Sequence, residues 1–275
     1  MIRVFQKSGS TLTDLSNGLS RYRGPGIELA YTSGDYLYIG RDLPFNNFYL
    51  KLGTTVNAIS APMTLEYWDG RTWIPTVEVI DDTSALTQSG NVTFTPNREK
   101  GWNRESTSGS GETITGLESV VIYDKFWLRI SFSATLTAAI DVTWLGQIFS
   151  DDIDLDSEFP VLNSANLLSC WETGKTNWQE QHAKASEKMI QDLVHQGIIQ
   201  SGEQILKRQS YNLAATSKTA ELIFTGLGDD YTDDAVKARE SYKDRLDLSI
   251  HPVDKNENAI LDTKEKFERT GFLTR

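Results

Sequence analysis

Residues 63–94 read MTLEYWDGRTWIPTVEVIDDTSALTQSGNVTF, and this stretch sets the fold class of the first half of the chain. Leu65, Tyr67 and Trp73 are strand-favouring residues set around Asp69-Gly70, a two-residue hairpin signal. A polar loop, Asp81-Asp82-Thr83-Ser84, leads to Thr87-Gln88-Ser89-Gly90 and then to Val92-Thr93-Phe94. The pattern is strand, tight turn, strand, loop, strand, with Trp68 and Trp73 flanking the turn. It implies no catalytic group.

Outward from this hairpin, residues 1–149 keep a short period. Residues 1–5 alternate loosely, 27–31 (IELAY) and 36–39 (YLYI) are compact aromatic-rich runs, and Pro44-Phe45-Asn46-Asn47 turns into 48–52 (FYLKL). Residues 97–118 are polar, contain STSGSG, and read as an exposed, mobile loop. Strands resume at 120–123, 126–132 (FWLRISF) and 140–149. About eight strands in this length predict an antiparallel β-sandwich, jelly-roll-like in arrangement.

The character changes at Ser150. Asp151, Asp152, Asp154 and Asp156 form an acidic, solvated connector, and from Trp178 onward the apolar residues recur at helical spacing. Ala185, Met189 and Leu193, with Ile190 and Val194 beside them, predict a helix ending near Gly197. A second is expected from about Gly202 through Ile223, with Leu213, Ala214, Ala215 and Ala220 on it, stopped by Gly226 and Gly228. A third starts at Thr232-Asp233-Asp234, runs to about Leu248 and carries Ala235, Ala238, Tyr242 and Leu246 on one face. A short final helix is expected over residues 263–270. The fold class is therefore α+β in two domains: a β-sandwich at 1–149 and a bundle of about three to four helices at 150–275.

Composition narrows the function classes. The 275 residues are 39% hydrophobic and 24% charged, an ordinary globular mixture, and the net charge is −11. Residues 1–149 hold 12 basic against 15 acidic side chains and residues 150–275 hold 15 against 23. That balance argues against a dedicated nucleic-acid surface, which needs clustered Lys and Arg. The single cysteine, Cys170, excludes an intrachain disulfide or a Cys-rich metal site, and beside Trp171 it reads as a buried small apolar residue. The first residues lack the apolar run of a signal peptide, and no window approaches the ~20 apolar residues of a membrane helix, so a soluble protein without a membrane role is expected.

Catalytic signatures are missing: there is no G-x-S-x-G, H-E-x-x-H, G-x-x-x-x-G-K-[ST] or G-x-G-x-x-G. His182, His195 and His251 have no second ligand at a metal-like spacing and read as surface or packing histidines. No carboxylate pair is singled out among the 38 acidic residues, so no catalytic residue is assigned and an enzyme is not expected. Trp68, Trp73, Trp102, Trp127 and Trp144 either pack in the interior or line a carbohydrate groove. Packing is the commoner use of alternating strand positions, and Trp68 and Trp73, near a turn, are the pair expected to make an exposed contact.

Four segments carry a family resemblance: YIG-x4-PF (38–45), LEYWDGRTW-x-P (65–75), DDTSALTQSGNVTF-x-P (81–96) and FWLRI (126–130). Together they resemble the β-sandwich modules of tailed-bacteriophage virion proteins, where YW-x-G-x-x-W and GLT-x-SG-x-V-x-F recur; Ala85 stands where that pattern has glycine. The helical half, with its acidic lead-in, its Leu213-Ala214-Ala215 helix and its Ala238-x3-Tyr242-Lys243 helix, is similar to the small helical adaptors that dock on the phage portal. The resemblance implies a structural virion protein of the neck or tail region, made in the host cytoplasm. It would be a head-to-tail connector forming a homo-oligomeric ring of about twelve copies on the portal protein, next to tail or neck proteins. Double-stranded DNA would pass through without sequence-specific binding, and the acidic run would line the channel. A tail or baseplate protein with a glycan-binding sandwich is the alternative.

One more pattern concerns a metal. Asp254, Asn256, Asn258, Asp262 and Glu265 fall at positions 1, 3, 5, 9 and 12 of a loop that resembles an EF-hand Ca²⁺ loop, with the Ile260 carbonyl at position 7. Ala259 occupies position 6, where a glycine is expected, and Pro252 stands where a long entering helix would end. A plain polar turn is the other reading. No cofactor is required by either.

Overall fold

A computed structural model describes residues 2–107, 114–137, 139–248, 251–262 and 265. The fold is mixed α+β, with two antiparallel sheets in the N-terminal part and helices in the C-terminal part. Chain contacts gather into two compact units. One comprises Met1–Gly146 with Asn256–Ile260; the other comprises Gln147–Lys255 and the residues from Leu261 onward.

In the first unit the larger sheet runs β2 (Thr11–Asp14), β1 (Arg3–Ser8), β4 (Tyr36–Arg41), β11 (Lys125–Phe132), β6 (Met63–Trp68) and β7 (Trp73–Pro75), and β10 (Arg104–Glu105) also pairs with β11. The smaller sheet runs β3 (Ile27–Leu29), β12 (Ile140–Gly146), β5 (Asn47–Leu52), β9 (Gly90–Thr95) and β8 (Glu78–Asp81). Every pairing is antiparallel. Period-2 alternation explains the burial: in β11, Phe126, Leu128, Ile130 and Phe132 are buried along one face. Val4, Ile39 and Ile130 of the larger sheet line the same apolar interior as Leu29, Leu50 and Val142 of the smaller one.

The hairpin forms as its sequence dictates. Gly70 takes φ +100°, and the Asp69 carboxylate accepts the amides of Arg71 and Thr72 at 2.8 and 2.7 Å. The turn places Trp68 opposite Trp73. Their rings meet edge-on at 5.2 Å, with 1% and 8% of each residue exposed. The expectation of an exposed aromatic contact is thus corrected: both indoles belong to a buried cluster with Phe5, Tyr38 and Trp127. Burial of that size outweighs any surface role near the turn.

Two further expectations change. Residues 120–123 form no strand, and Val121 and Tyr123 are exposed. The polar stretch 97–118 is not a loose loop where it is described. Trp102 is buried among Phe45, Tyr67, Phe94 and Phe126, Thr107 is bound to the main chain of Val120 and Ile122, and Ile114 and Leu117 are fully buried. Residues 108–113, including most of STSGSG, lie outside the described residues.

After β8, Ser84, Ala85 and Leu86 run in the left-handed region at φ 50°, 61° and 64°. Asp81 anchors this turn through Thr83 N, Thr83 Oγ1 and Ala85 N, while Asn57 takes the carbonyls of Ala85 and Leu86. Each non-glycine residue there costs on the order of 1 kcal/mol. Ala85, which stands where the resembled pattern has glycine, is itself left-handed. Ala85→Gly is therefore expected to raise stability by about 0.5 kcal/mol, a one- to two-degree rise in Tm, because relief of strain outweighs the added freedom of the unfolded chain. A thermal melt that falls on substitution would refute this.

The second unit contains α2 (Asp152–Glu158), α3 (Ala165–Trp171), α4 (Gln179–His195), α5 (Asn212–Leu227) and α6 (Thr232–Leu248); a single-turn α1 (Ser16–Leu19) belongs to the first. The predicted stripes hold: Ala185, Met189 and Leu193 on α4 and Ala235, Ala238, Tyr242 and Leu246 on α6 are buried. Val194 is exposed, off the stripe. Gly197, at φ +71°, follows α4. The second predicted helix is shorter than expected. Residues 202–211 form two 3-10 turns, Gly202–Gln204 and Arg208–Tyr211, and α5 begins only at Asn212. Gly228, at φ +101°, ends α5, whereas Gly226 lies inside it with Trp171 seated where a Cβ would go. Cys170 is exposed on α3, against expectation, because the neighbouring Leu167 and Leu168 take the inward positions. The predicted final helix at 263–270 lies outside the described residues except for Glu265.

Candidate functional site

The acidic run is where the helical unit differs most from its sequence reading. It forms helix α2 instead of a solvated connector. Asp151 caps α2 by accepting from Ile153 N and Asp154 N at 2.9 and 3.0 Å, and Asp154 returns the bond to Asp151 N, a complete capping box. Asp154 also receives Asn212 Nδ2 of α5 at 2.6 Å. Asp152 receives Trp178 N at the start of α4 at 3.0 Å. Negative charge here satisfies helix N-termini.

Beside it sits a buried polar node. His182 of α4, 1% exposed, has Ser150 Oγ at 2.8 Å and Thr219 Oγ1 of α5 at 3.2 Å from Nδ1, and Asp152 Oδ1 at 3.3 Å from Nε2. Asp152 only accepts, so the ring proton is assigned to Nε2 and Nδ1 accepts from the Ser150 hydroxyl, while the Thr219 hydroxyl donates to Ala215 O. Ser186 Oγ joins by donating to His182 O and accepting Phe149 N. Ser150, His182 and Asp152 have the residue types of a nucleophilic triad. Ser150 is fully buried, so its hydroxyl has no approach for a substrate carbonyl. The arrangement joins α2, α4 and α5 through one imidazole. Sequence reasoning missed it, although His182 falls on the inward stripe of α4 with Ser186 and Met189.

The other two histidines diverge. His195 is exposed and lines a polar groove of about 340 Å³ among α4, α5 and α6. There Glu221 pairs with Lys218 and Arg239 at 2.8 and 2.9 Å, and Tyr242 donates to Asp192 at 2.7 Å. Burial raises the Glu221 pKa, but its two cations outweigh that and leave it below the ordinary value.

His251, 3% exposed, stacks on Tyr211 and shares a hydrogen bond with its hydroxyl at 3.1 Å; among the described residues its buried Nε2 has no hydrogen-bond partner. Burial holds the His251 pKa below its ordinary value, opposed by Asp247. The unfolded chain therefore binds this proton more readily than the folded one. Its contribution to stability is complete above the unfolded pKa of about 6.5 and declines as pH falls through it. Urea midpoints between pH 7.5 and 5.5 are expected to drop for the wild type and to drop less for His251→Phe; parallel curves would refute the assignment.

The calcium-loop residues are placed as follows. Asp254 is 1% exposed, and its main chain is paired with Gln204 through Asp254 N to Gln204 O and Gln204 Nε2 to Asp254 O. Glu265 spends its two carboxylate oxygens on Lys255 N and Asp262 N, each at 2.9 Å, and Asn258 Oδ1 accepts Ile260 N at 2.7 Å. Ala259 adopts φ +58°, the conformation for which a glycine was expected. Among the described residues no group of three or more His, Cys, Asp or Glu side chains is gathered closely enough to hold a metal ion. Asn256 and Asp262 complete the set, and Thr263 and Lys264 lie outside the described residues.

The five tryptophans of the first unit are all buried, between 0% and 8% exposed, so none of these indoles offers a face to a sugar. No helix among the described residues is long and apolar enough to cross a membrane. No family model matches the chain, and no curated protein matches it either.

Proposed function

We propose that the chain is a structural virion protein acting by assembly rather than by catalysis, its first unit a jelly-roll-like sandwich and its second a helical docking domain. The strand order carries the reading. Numbering β3, β4, β5, β6, β7, β9, β11 and β12 as strands one to eight, the smaller sheet runs 1-8-3-6 and the larger 2-7-4-5, the interleaving of two Greek keys in an eight-stranded jelly roll. β8 and the β1–β2 hairpin extend the two sheets at their edges. Viral capsid and lectin domains are frequent users of that arrangement.

Within this reading the protein is a head-to-tail connector at the neck, its helical unit forming a ring of about twelve copies on the portal. Exposed Ile153, Val161, Leu213 and Val236 offer apolar contacts to neighbouring subunits, and the acidic excess of this half keeps passing DNA from adhering. Mixing the purified chain with the portal protein encoded in the same genome, and imaging the product by electron microscopy, tests it. Rings seated on the portal are expected; a chain that ignores the portal and is found at the distal tail would transfer the assignment to the baseplate. Calorimetric titration with Ca²⁺ tests the 254–265 loop separately: heat saturating below millimolar Ca²⁺ is the result a metal role requires, and no saturable heat would leave the loop a plain polar turn.

A further inference from the structure

Among the described residues the smaller sheet ends at β8, with no strand beyond it. β8 pairs with β9 in the register Glu78↔Thr95 to Asp81↔Val92, and Asp82 N donates to Asn91 O at 2.9 Å. Hydrogen-bonded pairs alternate in an antiparallel ladder, so Ile80/Thr93 and Glu78/Thr95 are the other bonded pairs. Val79 and Asp81 consequently turn their main-chain groups away from β9. The Asp81 carbonyl is taken by Ser84 N. The Val79 N–H and C=O and the Asp81 N–H face outward.

An open groove of about 360 Å³ runs beside these groups, lined by Ser60, Pro62, Met63, Val79, Asp81 and Ala85. Its surroundings are apolar and acidic. Ile59, Val77 and Ile80 are exposed at 42%, 69% and 52%. Between Lys51 and Arg98 the chain has one basic residue, Arg71, against Glu66, Asp69, Glu78, Asp81 and Asp82. Sheet edges are commonly blunted by lysine, proline or a bulge. The outer strand of the other sheet, β7, ends in Pro75, whereas β8 contains neither lysine nor proline.

We propose that β8 is a strand-acceptor edge for an extended segment of a partner protein in which apolar residues alternate with Lys or Arg. Main-chain bonds to Val79 and Asp81 would add the segment to the sheet, its apolar side chains would face the groove on the Val79 and Asp81 side, and its cations would lie on the opposite face beside Glu78 and Asp82. A second copy fits poorly. Twofold pairing of β8 on itself with Ile80 on the axis sets Glu78 of each copy against Asp82 of the other, and like charges directly opposite are destabilising.

The test uses the full chain and three fluorescein-labelled heptapeptides: Lys-Val-Lys-Val-Lys-Val-Lys, the same peptide N-methylated at alternate residues, and its Glu-for-Lys counterpart. Saturable anisotropy is expected for the first, with binding at least tenfold weaker for the N-methylated and acidic peptides. Val79→Pro, which removes an outward N–H and spares the ladder to β9, and the double change Glu78→Lys with Asp82→Lys are each expected to weaken the first peptide at least tenfold. Equal binding of the N-methylated peptide to wild type would overturn strand addition even if Val79→Pro failed to fold. No binding of the first peptide would overturn it too, as would a concentration-dependent dimer dissolved by Val79→Pro, which would assign the edge to a second copy.

Discussion

Arg129→Ala is expected to lower the stability of the strand-rich unit by about 3–5 kcal/mol, the range for removing one partner of a buried ion pair. Arg129 lies opposite Glu66 across β11 and β6, and opposite Tyr38 across β11 and β4. Its Nε and Nη2 both donate to Glu66 Oε2, at 2.8 and 2.6 Å, with the two side chains 14% and 20% exposed. The guanidinium also lies over the rings of Tyr36 and Trp73, 4.4 and 4.8 Å from their centroids. One cation thus ties strands β4, β6, β7 and β11 together. Burial pushes the nearby Tyr38 hydroxyl up to about 12 although Arg129 opposes it, so Tyr38 stays neutral and adds no competing negative charge. Removing Arg129 leaves Glu66 partly buried without its cation, whereas replacing both partners by Met should recover much of the loss. Lysine is a poor substitute, since it cannot donate from two fixed nitrogens while lying flat on two rings. In a urea double-mutant cycle of Arg129→Met and Glu66→Met, a coupling above about 1.5 kcal/mol is expected. Additive single costs would show that the pair is decorative.

That cluster was half legible in the sequence. FWLRISF announces a strand with Arg129 at an alternate position, and WDGRTW announces the turn that pairs Trp68 with Trp73. The sequence does not show that β11 lies between β4 and β6, since those pairings join residues far apart in the chain. Proximity to a turn suggested exposure for Trp68 and Trp73, but burial is decided by what covers the sheet face. Here the cover includes Ile114 and Leu117, from a stretch too polar to be taken for anything but loop. Trp102 was hidden the same way. A single indole in a polar segment can be an anchor, and only its neighbours Phe45, Tyr67, Phe94 and Phe126 reveal it.

The helical half shows the reverse balance. Period 3.6 located α4 and α6, because each carries a continuous apolar stripe. α2 was invisible to that criterion: only Leu155 of its seven residues is buried, and its acids look like a solvated run until capping is considered. Read as Asp-x-x-Asp, the capping box Asp151/Asp154 marks a helix start, with the shorter acid replacing the usual Glu. The overlong α5 prediction arose because Ile205 and Leu206 are buried without being helical; Ile205 instead forms an isolated bridge with Val253.

His182→Ala is expected to lower the stability of the helical unit by about 3–4 kcal/mol, combining a cavity with unsatisfied buried polar atoms. Without the imidazole, Ser150 Oγ loses its acceptor and Asp152 loses one of its donors, although Asp152 retains Trp178 N. Ser150 is fully buried, as is Thr219, so water reaches neither without local opening. His182→Leu separates the two contributions. It refills the cavity and leaves the polar atoms unpaired, and about half the loss should remain. Ser150→Ala removes the hydroxyl together with its need for a partner, so it should cost only about 1 kcal/mol, and His182→Leu combined with Ser150→Ala should be more stable than His182→Leu alone. Chemical denaturation followed by the helical circular-dichroism signal reports on this unit, since the long helices α4, α5 and α6 all belong to it. If His182→Ala and His182→Leu were both within 1 kcal/mol of wild type, the histidine would be a bystander and the junction of α2, α4 and α5 would rest on its apolar contacts alone. If the loss appears as expected but Ser150→Ala is as damaging as His182→Ala, the serine makes contacts beyond the imidazole and the proton assignment to Nε2 would have to be revised.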